Sequence, residues 1–386
     1  MSEPPAVGVY VHWPFCARIC PYCDFNVVRD RGRGEAQAAL ARAIVADLKA
    51  QAPALGRRRL ASIFFGGGTP SLMEPAWAGE IIAVARSLFE PADDLEVTLE
   101  ANPTDAEAGR FAAFAAAGVE RLSLGVQSLD DAALAFLGRN HDAAAARRAA
   151  AVARQIFPRL SIDLIYALPG QTAAAWRGAL AEALALGPEH VSAYQLTLEP
   201  GTAFDRAVRR GRWAPPQNDA AGALFETTDE VLGAAGFEAY EISNHARGGA
   251  ARSRHNLIYW RGGDYLGLGP GAHGRLTAAD GGRWTTLTPS RIADYVARVE
   301  TAGCGVAERE RLSASEAAQE RLLMGLRTVE GVALAELAAL ALDPAMIGQL
   351  AGAGLLRTVA GRLSVTRSGR AVLDRITLEL AQSSPG

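Results

Sequence analysis

The sequence predicts an α/β protein: a partial (β/α)6 barrel followed by a small α+β domain. Three observations carry that reading. Six short runs rich in β-branched and aromatic residues each stop at a Gly, Pro or polar turn. Ala-, Leu- and Arg-rich segments of helical periodicity separate them. From about Ser313 the alternation gives way to helices and a hairpin. Strands alternating with helices build parallel βαβ units, and six of them make part of a barrel whose ligand site lies at the C-terminal strand ends.

The first strand is Val7 to His12, and the loop after it holds Cys16, Cys20 and Cys23, stiffened by Pro14 and Pro21. A helical stretch covers about residues 34–52. Ala61 to Phe65 is the second strand and ends at Gly66-Gly67-Gly68-Thr69-Pro70. Leu95 to Glu100 is the third, followed by Ala-Asn-Pro103; Arg121 to Val126 is the fourth and runs into Gln127-Ser128. Leu160 to Tyr166 is the fifth, closed by Leu-Pro-Gly170, and His190 to Leu196 the sixth, closed by Glu-Pro-Gly201. The expected organisation is a barrel over 1–235, a connecting region over 236–305 and a C-terminal domain over 306–386. Within the last, helices run over Ala317 to Leu326 and from Gly331 to Ala341, two strands flank Gly361, and a final helix starts at Ser368.

Composition bounds the function. At roughly 150 residues per domain, 386 residues make two domains, or one with an appendage. A chain this long buries about 75% of its unfolded surface without disulfide staples. The net charge of −3 and a single lysine, Lys49, among arginines spread along the chain argue against a nucleic-acid partner. Met-Ser-Glu-Pro-Pro at the start lacks the basic and apolar regions of a secretory signal. No apolar run reaches the ~18–20 residues of a membrane span. The expectation is a cytoplasmic protein with reduced cysteines.

Three cysteines within eight residues then suggest metal ligation. Thiolates at this spacing can hold three irons of a [4Fe–4S] cluster and leave the fourth open to a small chelator. Zinc, with His12 as fourth ligand, is the alternative. Cys304 stands apart as a bystander thiol. Glu100, Gln127 and Asp163 gather at strand ends, with Arg139 twelve residues after Gln127; each alone reads as loop capping. Three glycines after a strand let the backbone approach a ligand closely.

Cys16-Ala-Arg-Ile-Cys20-Pro-Tyr-Cys23 after Tyr10-Val-His12 resembles the cluster loop of the radical SAM superfamily. Gly66 to Pro70, Glu100 to Pro103, Leu124 to Ser128 and Ile162 to Gly170 resemble its coproporphyrinogen oxidase-like branch over essentially the whole chain. The resemblance implies a radical SAM barrel with a winged-helix-like C-terminal domain. It further implies a [4Fe–4S] cluster on Cys16, Cys20 and Cys23. S-adenosylmethionine (SAM) would then lie among Tyr10, Gly67, Gly68, Thr69, Glu100, Gln127, Arg139 and Asp163, with Tyr22 beside the cluster.

Oxygen-independent coproporphyrinogen III oxidases carry a further cysteine two residues past the third, where this chain has Phe25. That departure puts decarboxylase activity in doubt, and the chain instead resembles the HemW-type haem chaperones. Their HNxxYW motif matches His255 to Trp260: an imidazole able to ligate haem iron, and two aromatics to cover a porphyrin face. His273 reads as structural or as a second iron ligand, and His245 as a weaker candidate. The implied partners are haem and recipient haemoproteins, respiratory enzymes foremost; a homodimer and peripheral membrane contact stay open. From Ser313 onward seven arginines meet seven acidic residues, so the winged-helix-like domain lacks a DNA-binding footprint and suits a lid or docking surface better.

Overall fold

The computed structural model describes residues 3–32 and 34–382; Met1 and Ser2, part of the N-terminal reading above, lie outside the described residues, as do Arg33 and 383–386. The barrel strands are β1 (Ala6–Trp13), β2 (Arg59–Gly67), β3 (Glu90–Ala101), β4 (Arg121–Gln127), β5 (Arg159–Tyr166) and β6 (His190–Gln195), each parallel to the next. Helices α1 (Gly34–Gln51), α2 (Pro75–Leu88), α3 (Ala143–Ile156) and α4 (Ala173–Ala185) make the main crossovers. Successive side chains of a strand point to opposite faces. Val7, Val9, Val11 and Trp13 of β1 therefore pack in the main core, which also takes Leu40, Ile44 and Leu48 of α1. Each such aliphatic side chain contributes roughly 1.5–3 kcal/mol. Gly8, Tyr10 and His12 are left for the inner face.

The sheet is longer than six strands. Past β6 come β7 (Glu238–Ala239) and β8 (Asn244–Ala246); past the other edge come β9 (Asp264–Leu268), β10 (His273–Thr277), β11 (Arg283–Leu287) and β12 (Glu308–Arg311). The order is β12-β11-β10-β9-β1-β2-β3-β4-β5-β6-β8-β7, with β9 parallel to β1 and the outer strands antiparallel. These additions are two to five residues long and rich in Gly or polar side chains, which hides them from a periodicity argument.

A second core, with Leu322, Leu326, Val332, Leu337, Leu363 and Ile376, sits at the C-terminal end. Its first helix (Ala314–Leu326) starts at Ser313, whose side chain makes a reciprocal capping box with Glu316. The helix expected over 331–341 is instead a short strand (Val332–Ala333) and a 3-10 helix (Leu334–Leu340). Leu334, Leu337 and Leu340 recur every three residues, the 3-10 period. Strands Leu356–Val359 and Arg362–Val365 pair around Gly361. Ion pairs Arg327–Glu241 (3.1 Å) and Arg370–Asp229 (3.1 Å) tie this unit to the rest of the chain. His245 Nε2–H donates to Asp229 Oδ1 at 3.2 Å in the same contact, so its place is structural.

Candidate functional site

Parallel strands bring their C-terminal ends together, and the two-residue period aims alternate side chains inward. Arg121, Ser123, Gly125 and Gln127 of β4, Asp163 and Ile165 of β5, and Ser192 and Tyr194 of β6 all line one cavity of about 580 Å³. The cysteine loop forms its rim. The cluster cysteines, the SAM residues and the motif histidine all meet this cavity, namely Cys16, Cys20, Cys23, Tyr10, Tyr22, Gly67, Gly68, Thr69, Glu100, Gln127, Arg139, Asp163 and His255, whereas His273 and Trp260 do not. Cys304 does not; it lies beside Asp47 of α1.

Arg139 is the polar hub. Its Nη1 donates to Cys20 Sγ (3.3 Å) and Tyr22 Oη (3.4 Å), and its Nη2 to Gly125 O (3.1 Å) and Asn102 Oδ1. Asn102 Nδ2 in turn donates to Thr69 Oγ1 at 3.0 Å, joining the glycine turn to the cysteine loop. Gln127 sits at φ 64°, a left-handed conformation that costs a non-glycine residue about 1–2 kcal/mol, and its buried Oε1 has no partner among the described residues. A strained residue with an orphaned acceptor thus stands on the cavity wall.

Burial dominates the electrostatics of the site. Burial, then the nearby Asp163 carboxylate, push Glu100 up to about 8. Burial also raises Asp163, although Ser123 Oγ donates to it at 2.9 Å. Burial pushes the Cys16 thiol up to about 11 and raises Cys23, so ligand binding at these sulfurs displaces protons.

The glycines differ from expectation. A Cβ on Gly67 would fall 2.6 Å from the His12 ring, and one on Gly68 would fall 2.8 Å from the Trp13 carbonyl oxygen. The turn is glycine-rich because β1 and the cysteine loop pack on it, as well as to leave the cavity open. His12 is fully engaged: Nε2–H donates to Asn26 O (2.8 Å) and Nδ1 accepts from Tyr10 Oη (3.0 Å). Its imidazole therefore has no free nitrogen for the zinc site considered above. Among the described residues, no three His, Cys, Asp or Glu side chains group to hold a single metal ion.

The HNxxYW segment is helix Arg254–Trp260. His255 is 1% exposed, with Nδ1 bonded to Ser62 Oγ and Nε2 to Tyr259 Oη, both at 2.8 Å, and its ring stacked 4.8 Å from Phe64. Burial pulls its pKa down to about 3. Tyr259 reaches the cavity; Trp260 does not, and lies 4.6 Å beneath the Arg327 guanidinium.

Models of known families match both parts of the chain: Radical SAM superfamily over residues 10–183 and HemN C-terminal domain over 312–372. The heme chaperone HemW of Mycobacterium tuberculosis strain H37Rv is 37% identical over 375 residues, spanning 97% of this chain and 94% of that one. HemW of Haemophilus influenzae is 40% identical over 285 residues, 73% of each chain. The chain belongs to the HemW family of radical SAM proteins. The mitochondrial radical S-adenosyl methionine domain-containing protein 1 of Bos taurus is 45% identical over 343 residues, 86% of this chain and 76% of that one. The fold is shared with coproporphyrinogen III oxidase (HemN) from Escherichia coli, at a TM-score of 0.79 and 22% identity over 97% of this chain and 90% of that chain.

Membership of the radical SAM superfamily implies a [4Fe–4S] cluster and SAM, and this HemW-family chain has residues that fit both. Three thiols from one loop share the cavity with the orphaned Gln127 acceptor and the half-buried carboxylates of Glu100 and Asp163. Sequence reasoning missed Asn102, Arg121, Ser123 and Tyr194. Counting back from Gln127 in steps of two along β4 finds Ser123 and Arg121 directly.

Proposed function

We propose that this protein is a haem chaperone that delivers haem to recipient haemoproteins, respiratory enzymes among them, from the cytoplasm. The observation that carries the reading is a pairing: a three-cysteine loop, with Phe25 just past its last thiol, and the His255–Tyr259 helix on the wall of the same cavity. HemW relatives at 37–40% identity support it.

In this reading Cys16, Cys20 and Cys23 hold a [4Fe–4S] cluster. Such a cluster, with one iron free of protein ligands, supplies a Lewis-acidic position and a one-electron couple. Glu100 and Asp163 accept hydrogen bonds from the ammonium or hydroxyl groups of SAM, and Gln127 Oε1 gains the donor it lacks. Arg139 keeps the cysteine loop oriented toward the strand ends. Tyr259 offers an aromatic edge to the porphyrin.

Anaerobic reconstitution tests the cofactors. Iron and acid-labile sulfide of about four each per chain are expected, and lost in Cys16→Ala, Cys20→Ala and Cys23→Ala. One zinc without sulfide would overturn the cluster. Haem titration followed by transfer to an apo-haemoprotein tests the activity. Turnover of coproporphyrinogen III to protoporphyrinogen IX would instead assign a radical SAM decarboxylase.

A further inference from the structure

We propose that His273, at the mouth of a second cavity beside the strand-end site, is the residue that ligates haem iron. The inference rests on the haem-chaperone reading and names its ligand.

The six histidines can be sorted by what their nitrogens do. His12 and His255 use both, and His190 bonds Ser161 Oγ (2.7 Å) and Tyr240 Oη (2.8 Å). His141 and His245 each use Nε2 and bury Nδ1. His273 alone is exposed, and among the described residues neither of its nitrogens has a hydrogen-bond partner. An imidazole must offer a free, reachable nitrogen to form an Fe–N bond. His255 offers one only after losing Ser62 or Tyr259.

The surroundings of His273 suit an iron porphyrin. It lines a cavity of about 290 Å³ with Tyr10, Phe25, Tyr259 and Tyr265, a set of aromatic walls for a flat apolar ring. Phe25 is 63% exposed, a large apolar side chain held in solvent at this mouth. Pockets that enclose drug-sized ligands run roughly 300–1,000 Å³, so a haem seated here protrudes, as cargo that must be handed on does. Burial and then Arg275 lower the His273 pKa, which leaves the imidazole neutral near pH 7. Ligation donates one nitrogen lone pair to iron and changes no oxidation state.

The position also couples haem to the cysteine loop. Tyr10, Phe25, Gly67, Glu100 and Tyr259 line both cavities. Asn26, three residues past Cys23, donates to Pro270 O (2.9 Å) and Ser290 O (2.8 Å), tethering the turn that carries His273. A loop ordered by its cluster thus presents Phe25 and His273 together.

The test is an anaerobic haem titration of the reconstituted full chain, read by Soret absorption and ferric-haem EPR. His273→Ala is expected to weaken binding about tenfold or more and shift the Soret band, with added imidazole restoring it. Its iron and sulfide content should match wild type, which reports an intact fold. Phe25→Ala should weaken binding while keeping the wild-type haem spectrum. A His273→Ala protein that titrates as wild type overturns the inference and leaves the chaperone reading standing, as does a band lost only in His255→Ala. A wild-type chain that takes up no haem overturns both.

Discussion

Glu96 and Glu100 lie on one strand, four residues and about 13 Å apart, Glu96 buried and Glu100 half-buried on the cavity wall, yet their environments are opposite. Burial acts to raise Glu96, but Arg121, Arg159 and two backbone N–H groups outweigh it and hold the carboxyl below its usual range. Arg159 Nη1 donates to it at 2.8 Å, and the N–H groups of Arg254 and His255 donate at 3.2 Å. Glu100 is pushed up to about 8 by burial and Asp163. One end of the barrel pairs its carboxylate with an arginine of the chain; at the other, Glu100 and Asp163 keep hydrogen bonds from Gly67 N–H and from serine hydroxyls but form no ion pair among the described residues. Carboxylates held close together without a counter-charge are where a fold accepts a cost that a ligand can relieve.

The largest effect should come from breaking the satisfied end. Glu96→Gln leaves Arg159 short of a buried counter-charge and loosens the start of helix Arg254–Trp260, so we expect a loss of about 3–5 kcal/mol. Urea denaturation of the cofactor-free chain measures it. A loss under about 1 kcal/mol would mean that Glu189, also 2.8 Å from Arg159, suffices, and the contrast between the two ends would weaken.

The mirror substitution should have the opposite sign. The folded protein holds the Glu100 proton up to about pH 8, whereas the unfolded chain releases it near 4.5. Between those values the folded state binds more protons, so this group makes stability fall with rising pH, by about 1.4 kcal/mol per unit. Glu100→Gln removes the penalty. Its advantage over wild type should be absent below pH 4.5, grow through the window and level off above pH 8. Denaturation midpoints at pH 4, 6 and 8 test this, and SAM affinity of the variant should fall. A constant difference across pH would show that Glu100 is ionised throughout.

The same contrast explains what could be read from the sequence. Barrel strands and cavity residues were legible because each strand carries its own period and its polar side chains stand at its end. Glu100, Gln127 and Asp163 needed no knowledge of their neighbours. Partners remote in sequence were not legible: His255 meets Ser62 across 193 residues, and His12 fills the space that Gly67 leaves. The motif histidine therefore read as an open ligand, although its Tyr259 partner lies one helical turn away. The outer strands escaped because two to five residues carry too little pattern.

The smallest effect separates strain from ligand contact. Gln127 ends β4 and Ala167 follows the end of β5, with nearly equal positive φ, 64° and 63°, but Gln127 lines the cavity and Ala167 does not. Glycine relieves the left-handed cost of about 1–2 kcal/mol and gives back part of it as unfolded-chain entropy, roughly 0.5–1 kcal/mol. Gln127→Gly and Ala167→Gly should therefore each stabilise the cofactor-free chain by about 0.5–1 kcal/mol. In SAM binding they should part: Gln127→Gly deletes the orphaned acceptor and weakens affinity, whereas Ala167→Gly leaves it unchanged. Equal losses from both would mean that the strained backbone, and not the Gln127 side chain, shapes the site.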